Sequence, residues 1–209
     1  MNVQWRDFLL AQGAALADGR VLHFGDAAAE LRAAAGGSII SDLSHLGVMT
    51  AGGPDAAAFL QGQLTNDIMQ VDAAHAQLSG YCTAKGRLLA VFLVTGGGDG
   101  YRLLTAAELV PALIQRLVKY RLRAKVDLND AGDGVMRTGL AGAAAADVVQ
   151  RTAGGVPQGP WDTVTGGGLT VTRVTGDVPR FIALGTAALL QDLWRLAAPA
   201  LTPAGTPAW

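Results

Sequence analysis

Tyr81-Cys82-Thr83-Ala84-Lys85-Gly86-Arg87-Leu88-Leu89-Ala90-Val91-Phe92-Leu93-Val94 reads as a β-hairpin. Ala84-Lys85-Gly86 breaks two strand-like runs, Ala76 to Thr83 and Arg87 to Thr95. The second run is apolar on both faces, which suits a strand in the middle of a covered sheet. Gly96-Gly97-Gly98-Asp99-Gly100 then leads into a third run, Tyr101 to Thr105, and an antiparallel meander is expected. This glycine run lacks the glycine-lysine-serine/threonine ending of a phosphate loop and precedes a strand instead of a helix, so it reads as a turn.

Working outward, Trp5, Phe8 and Leu9 fall at helical spacing within Val3 to Leu16, and Asp18-Gly19 reads as a turn. Asp26 caps a second helix that stops at Gly36-Gly37. Ser38 to Asp42 and Gly47 to Ala51 are short strands. Gly53-Pro54-Asp55 opens a helix carrying Phe59 and Leu60, ending near Gly62, and Thr65-Asn66-Asp67 closes a turn on its own backbone. Leu109, Val110, Leu113, Ile114, Leu117 and Val118 form one helical stripe. Thr105 and Glu108 have capping-box spacing while Pro111 sits late, so the helix either starts nearer Glu108 or is kinked. Arg123 to Leu128 reads as a strand and Asn129 to Gly134 as a turn-rich boundary. A second pass follows: strand Val135 to Leu140, helix Ala143 to Gln150, surface loop Gly154 to Gly168, paired strands Leu169 to Thr175 and Arg180 to Leu184, and a helix capped by Thr186 through Ala197. The expected class is α+β, antiparallel sheets with packed helices. Residues 1–37 with 134–209 make one expected subdomain and residues 38–133 the other.

The 209 residues are 50% hydrophobic with a net charge of −1, and the mean hydropathy of +0.30 comes largely from alanine. Leu88 to Val94 is far shorter than the roughly 20 residues of a spanning helix, so no membrane association is expected. The near-neutral balance argues against a general nucleic-acid binder, and no direct nucleic-acid partner is expected. Arg116, Lys119, Arg121, Arg123 and Lys125 are a local exception: a solvated helix end whose cations suit the helix dipole, or a docking surface for an anionic group. A single cysteine, Cys82, excludes an internal disulfide framework and fits a reducing, cytoplasmic compartment. The amino terminus reads as a helix, with no basic leader before an apolar run. Ser44 and His45 are chain neighbours, a poor arrangement for a nucleophile and its base. His23, His45 and His75 lack ligand spacing, so neither a catalytic residue nor a metal site is expected.

Phe59-Leu60-Gln61-Gly62-Gln63-Leu64-Thr65-Asn66-Asp67 and Tyr81-Cys82-Thr83-Ala84-Lys85-Gly86-Arg87 resemble the YgfZ-type folate-binding family. Lys119-Tyr120 and Lys125-Val126 continue the match in order, and Asp42-Leu43-Ser44-His45-Leu46-Gly47 resembles the wider aminomethyltransferase superfamily of the glycine-cleavage T-protein. The likeness covers residues 38 to 130 well and returns at Trp209. It implies a T-protein-like folate-binding fold, arranged as a cloverleaf around a central hole that holds tetrahydrofolate. It also implies an accessory role in assembling or maintaining iron–sulfur enzymes, some of which modify tRNA, with those enzymes or assembly proteins as partners. Family members continue into a lysine-glycine-cysteine motif and a C-terminal β-barrel. The 209 residues hold neither, so nothing resting on that cysteine is carried over, and Cys82, placed elsewhere, does not inherit its role.

The T-protein carries two consecutive aspartates just after its hairpin glycines, where this chain has Leu89 and Ala90. Neither side chain exchanges a proton, so a tetrahydrofolate-dependent aminomethyltransferase is the weaker reading. A scaffold that has lost folate is the other alternative. On the family pattern, Trp209 stacks on the pterin, Leu46 supplies apolar wall, and Tyr81 and Lys85 stand at the rim; Asn66 and Asp67 fix a turn.

Overall fold

The computed structural model describes residues 1–97 and 100–209; Gly98 and Asp99, in the glycine-rich turn, lie outside the described residues. Two units emerge from the backbone, Met1–His45 with Asp133–Trp209, and Leu46–Gly132.

The first unit opens with α1 (Val3–Ala11), whose Asn2 side chain caps Trp5 N. The helix stops short of the expected Leu16, because Ala15–Ala17 (β1) pairs with Arg20–His23 (β2) across Asp18 and Gly19, both at positive φ. Asp26 caps α2 (Ala27–Gly36) by accepting from Ala28 N and Ala29 N, and β3 (Ile39–Asp42) follows.

The second unit is continuous. β4 (Leu46–Gly52) precedes α3 (Ala56–Gln61), where the Asp55 carboxylate accepts from Lys125 N at 2.7 Å in place of capping the helix. β5 (Gln77–Cys82), β6 (Leu88–Gly97) and β7 (Gly100–Ala106) form the expected meander, and β7 leads through a 3-10 turn into α4 (Val110–Tyr120). That turn resolves the two readings of Pro111: it sits in the first turn of α4, where its missing N–H costs nothing. β8 (Asp127–Asp130) completes a five-stranded sheet of order β5-β6-β7-β4-β8. One face of the sheet, with Met49, Tyr81, Phe92 and Leu103, packs on Phe59 and Leu60 of α3 and Leu113 and Leu117 of α4. Coverage of β6 is only partial: Leu88 is 54% and Val91 47% exposed, where the all-apolar run suggested cover on both faces.

The chain then returns to the first unit with β9 (Met136–Ala141), α5 (Ala145–Ala153), β10 (Thr163–Gly166), β11 (Leu169–Val174), β12 (Arg180–Gly185), α6 (Ala187–Ala197) and β13 (Thr202–Ala204). Thr186 caps α6 through Leu189 N. The sheet order is β10-β11-β12-β9-β3-β13. All pairs are antiparallel except β13 with β3. Its large core lies on the face of Ile40, Leu140, Phe181 and Ala183, under α1, α5 and α6, where Trp5 and Trp194 meet edge to face with centroids 5.9 Å apart.

Two expectations change here. Residues 38–45 belong to the first unit, not the second, because β3 is hydrogen-bonded between β9 and β13. The loop Gly154 to Gly168 contains a strand, β10, which pairs with β11 across Gly167 and Gly168, both left-handed. Among the described residues, no helix is long and apolar enough to cross a membrane.

Candidate functional site

The face of the six-stranded sheet opposite the large core carries Trp209. Glu30, buried on α2, places the segment that leads to it: one carboxylate oxygen accepts from Phe24 N at 2.6 Å and the other from Gly205 N at 2.9 Å. A side chain at Gly205 would run into the Leu22 carbonyl, so only glycine lets this segment approach β2. A 3-10 turn over Thr206–Ala208 then delivers Trp209, whose N–H donates to Thr206 O. The indole ring lies on Gly139 of β9, where a Cβ would come within 2.6 Å of ring carbons. The Arg180 guanidinium, on neighbouring β12, lies 4.4 Å from the ring centroid.

Around this pair is a cavity of about 260 Å³, with Ile39, Ala141 and Ala208 as apolar wall and Asp177 on its lining. A guanidinium stacked on an aromatic face is held flat, and its in-plane N–H groups remain available to an acceptor. Among the described residues, Arg180 has no carboxylate partner, and its Nε is buried without a hydrogen bond. Apolar wall, an aromatic ring and one fork of charged donors suit a flat group bearing an anion or a carbonyl. The cavity, about 260 Å³, is smaller than the ~300–1,000 Å³ of sites that enclose a drug-sized molecule, so it suits one end of a larger ligand.

The other three expected residues lie in the second unit. Lys85 is exposed at the β5–β6 turn. Tyr81, on a strand separated from that of Leu46 by β6 and β7 in the sheet order, is 3% exposed in the core of the unit, so it holds the hairpin down and is not a rim residue. Leu46 starts β4 half-buried, on the face opposite Met49 and Ala51 and therefore off the core side. Sequence spacing gave no sign of Arg180 or Gly139, since each acquires its place from a strand neighbour and not from a local motif.

The two positions of the T-protein aspartates differ from each other. Tyr81 pairs with Ala90 and Cys82 with Leu88, so Leu89 is the extra residue of a β-bulge, half-buried, while Ala90 faces the core. Asp42, in the string shared with the wider superfamily, is fully buried and engaged: its Oδ1 accepts from Trp5 Nε1 and from Ser44 Oγ, each at 2.7 Å, and its Oδ2 from Ser44 N. The Arg137 guanidinium donates to the carbonyls of Leu43, Ser44 and Val135. These hydrogen bonds fix the exit from β3 and account for Ser44 without nucleophilic chemistry.

Residues 11–164 match the model of the GCVT N-terminal domain. A tRNA-modifying protein YgfZ of Vibrio vulnificus (strain YJ016) is 37% identical over 90 residues, 43% of this chain and 28% of the relative. A protein of the same name from Colwellia psychrerythraea is 25% identical over 152 residues, 73% of this chain and 47% of the relative. The chain thus spans less than half the length of these curated relatives. Among solved structures, the glycine cleavage system aminomethyltransferase T of Bartonella henselae superposes with a TM-score of 0.84 at 17% identity, covering 100% of this chain and 60% of that one. The resemblance read from the sequence strings is borne out, as is the T-protein-like α+β fold.

Proposed function

The chain belongs to the GCVT N-terminal domain family, and on that premise we propose that it is a tetrahydrofolate-binding accessory protein. The observation that carries this reading is the cavity at Trp209, where a stacked guanidinium without a carboxylate partner meets an apolar wall. The Arg180 fork takes an acceptor of the folate, while the exposed part of Trp209 and the apolar wall exclude water from the ring beside it. The names of the curated relatives support a task connected with tRNA modification; service to iron–sulfur enzymes in the cytoplasm, which the sequence resemblance implies, is part of the same proposal.

Titration with reduced folate, followed by tryptophan fluorescence, tests the reading. A saturable change is expected in the parent, with binding weakened at least tenfold in Trp209→Ala and Arg180→Ala. A folded parent with no saturable change would leave the folate-free scaffold in its place. The aminomethyltransferase reading keeps one supporting observation, the Asp177 carboxylate lining the same cavity. It requires folate-dependent aminomethyl transfer by the parent that disappears in Asp177→Asn, and Leu89 and Ala90 argue for no transfer at all.

A further inference from the structure

Between Glu108 and Asp127 the chain carries no carboxylate, yet it carries Arg116, Lys119, Arg121, Arg123 and Lys125. The near-neutral whole-chain charge therefore conceals a segregated one. Among the described residues none of these five cations is in an ion pair. Arg121 donates to the Val126 carbonyl, and the Arg116 Nε is buried without a partner. Arg116, Lys119 and Tyr120 stand at i, i+3 and i+4 on α4 and, with Ala112 and Gln115, line one groove of about 610 Å³. Tyr120 is 50% exposed in the middle of this charge. Arg123 and Lys125 extend the charge onto the next turn, whose backbone is pinned by Ala124 N to Arg121 O and by Lys125 N to Asp55.

We propose that this surface binds a single-stranded segment of nucleic acid, with Arg116 and Lys119 on phosphates and Tyr120 stacked on a base. Cations that track a backbone, interleaved with an accessible aromatic ring, are the two elements of single-strand recognition. A lipid surface fits less well: Val110, Leu113 and Leu117 of the apolar stripe of α4 are buried in the core of its own unit, which leaves only Val118 and Leu122 exposed beside the cations, too little for an amphipathic face. An acidic peptide would use the cations and leave the Tyr120 ring without a role. This departs from the expectation of no nucleic-acid partner drawn from net charge, because carboxylates elsewhere in the chain offset the patch in the total.

The test is fluorescence anisotropy with the full chain and a labelled mixed-sequence single-stranded RNA, repeated with DNA of the same sequence to separate the two sources. Binding is expected to weaken as salt rises. Lys119→Glu and Arg116→Ala with Lys119→Ala should each lower affinity tenfold or more. The double variant should also flatten the slope of log K against log salt by about 0.7 for each phosphate no longer neutralised. Tyr120→Ala should weaken binding several-fold with the salt slope unchanged, and Tyr120→Phe should restore it. All these side chains lie outside the core, and unchanged circular-dichroism melts will show that the variants are folded. Affinity for either strand that Lys119→Glu leaves intact would overturn the proposal. Binding to phosphatidylglycerol vesicles or polyglutamate with none to either oligonucleotide would also overturn it.

Discussion

Trp209 rests on Gly139, and the indole fills the volume that any larger residue at 139 would need. Gly139→Ala is therefore expected to lift the ring from β9 and to cost about 1–3 kcal/mol of overpacking strain. Urea unfolding gives the cost, and a red-shifted tryptophan emission reports the displaced indole. In the Trp209→Ala background the same substitution should be close to neutral. Equal costs in both backgrounds would show that the pair is not coupled.

Glu30 satisfies two backbone donors from different segments, Phe24 N and Gly205 N. Glu30→Ala leaves the buried Gly205 N–H without an acceptor, at about 1–3 kcal/mol, and the part-buried Phe24 N–H at less, since water can reach it. Because Gly205 begins the segment that delivers Trp209, acrylamide quenching of tryptophan should rise in parallel. An unfolding midpoint within error of the parent would contradict this account.

The bulge on β6 separates the two positions that carry aspartates in the T-protein. Ala90→Asp sets a carboxylate against the core beside Tyr81 and should cost about 3 kcal/mol or more. Leu89→Asp forfeits only part of a half-buried side chain, about 1–2 kcal/mol. Denaturant titrations of the two variants should rank them in that order.

Acid should destabilise the protein partly through two surface carboxylates. The backbone N–H of Ala29, with that of Ala28, holds the Asp26 carboxyl below its ordinary range; the N–H groups of Ala74 and His75 do the same for Asp72. Both groups are more acidic folded than unfolded. Their contribution is complete above the ordinary aspartate range and fades as pH falls through that range into the lowered one. Asp26→Asn keeps an acceptor at the helix cap but cannot titrate, so its urea midpoint should fall less steeply between neutral pH and about pH 3. A profile parallel to the parent would remove Asp26 from the account.

Local chemistry made much of the fold legible. The Ala84-Lys85-Gly86 hairpin, the Asp18-Gly19 turn, the Asp26 cap and the Thr186 cap all depend on residues within a few positions of one another. What escaped depends on distant partners. β13 is only Thr202–Ala204 and contains a proline, and it is a strand because it lies beside β3. β10 sits among glycines and prolines and owes its form to β11. Tyr81 looked like a rim residue because it ends a strand by a turn, and the alternation of β5 turns it inward instead. At the candidate site the sequence pointed to Trp209 but not to Arg180, which a pairing across β12 and β9 brings beside it.

The place of β3 between β9 and β13 bears on the order in which the chain folds as it is synthesised. Both of its neighbours, β9 and β13, leave the ribosome after the whole of Leu46–Gly132 has emerged. The nascent chain must keep Ile39–Asp42 unpaired through that interval, while the continuous unit already has every strand of its own sheet. The Leu46–Gly132 stretch is thus the part equipped to fold first, and the segments on either side of it complete their shared sheet last.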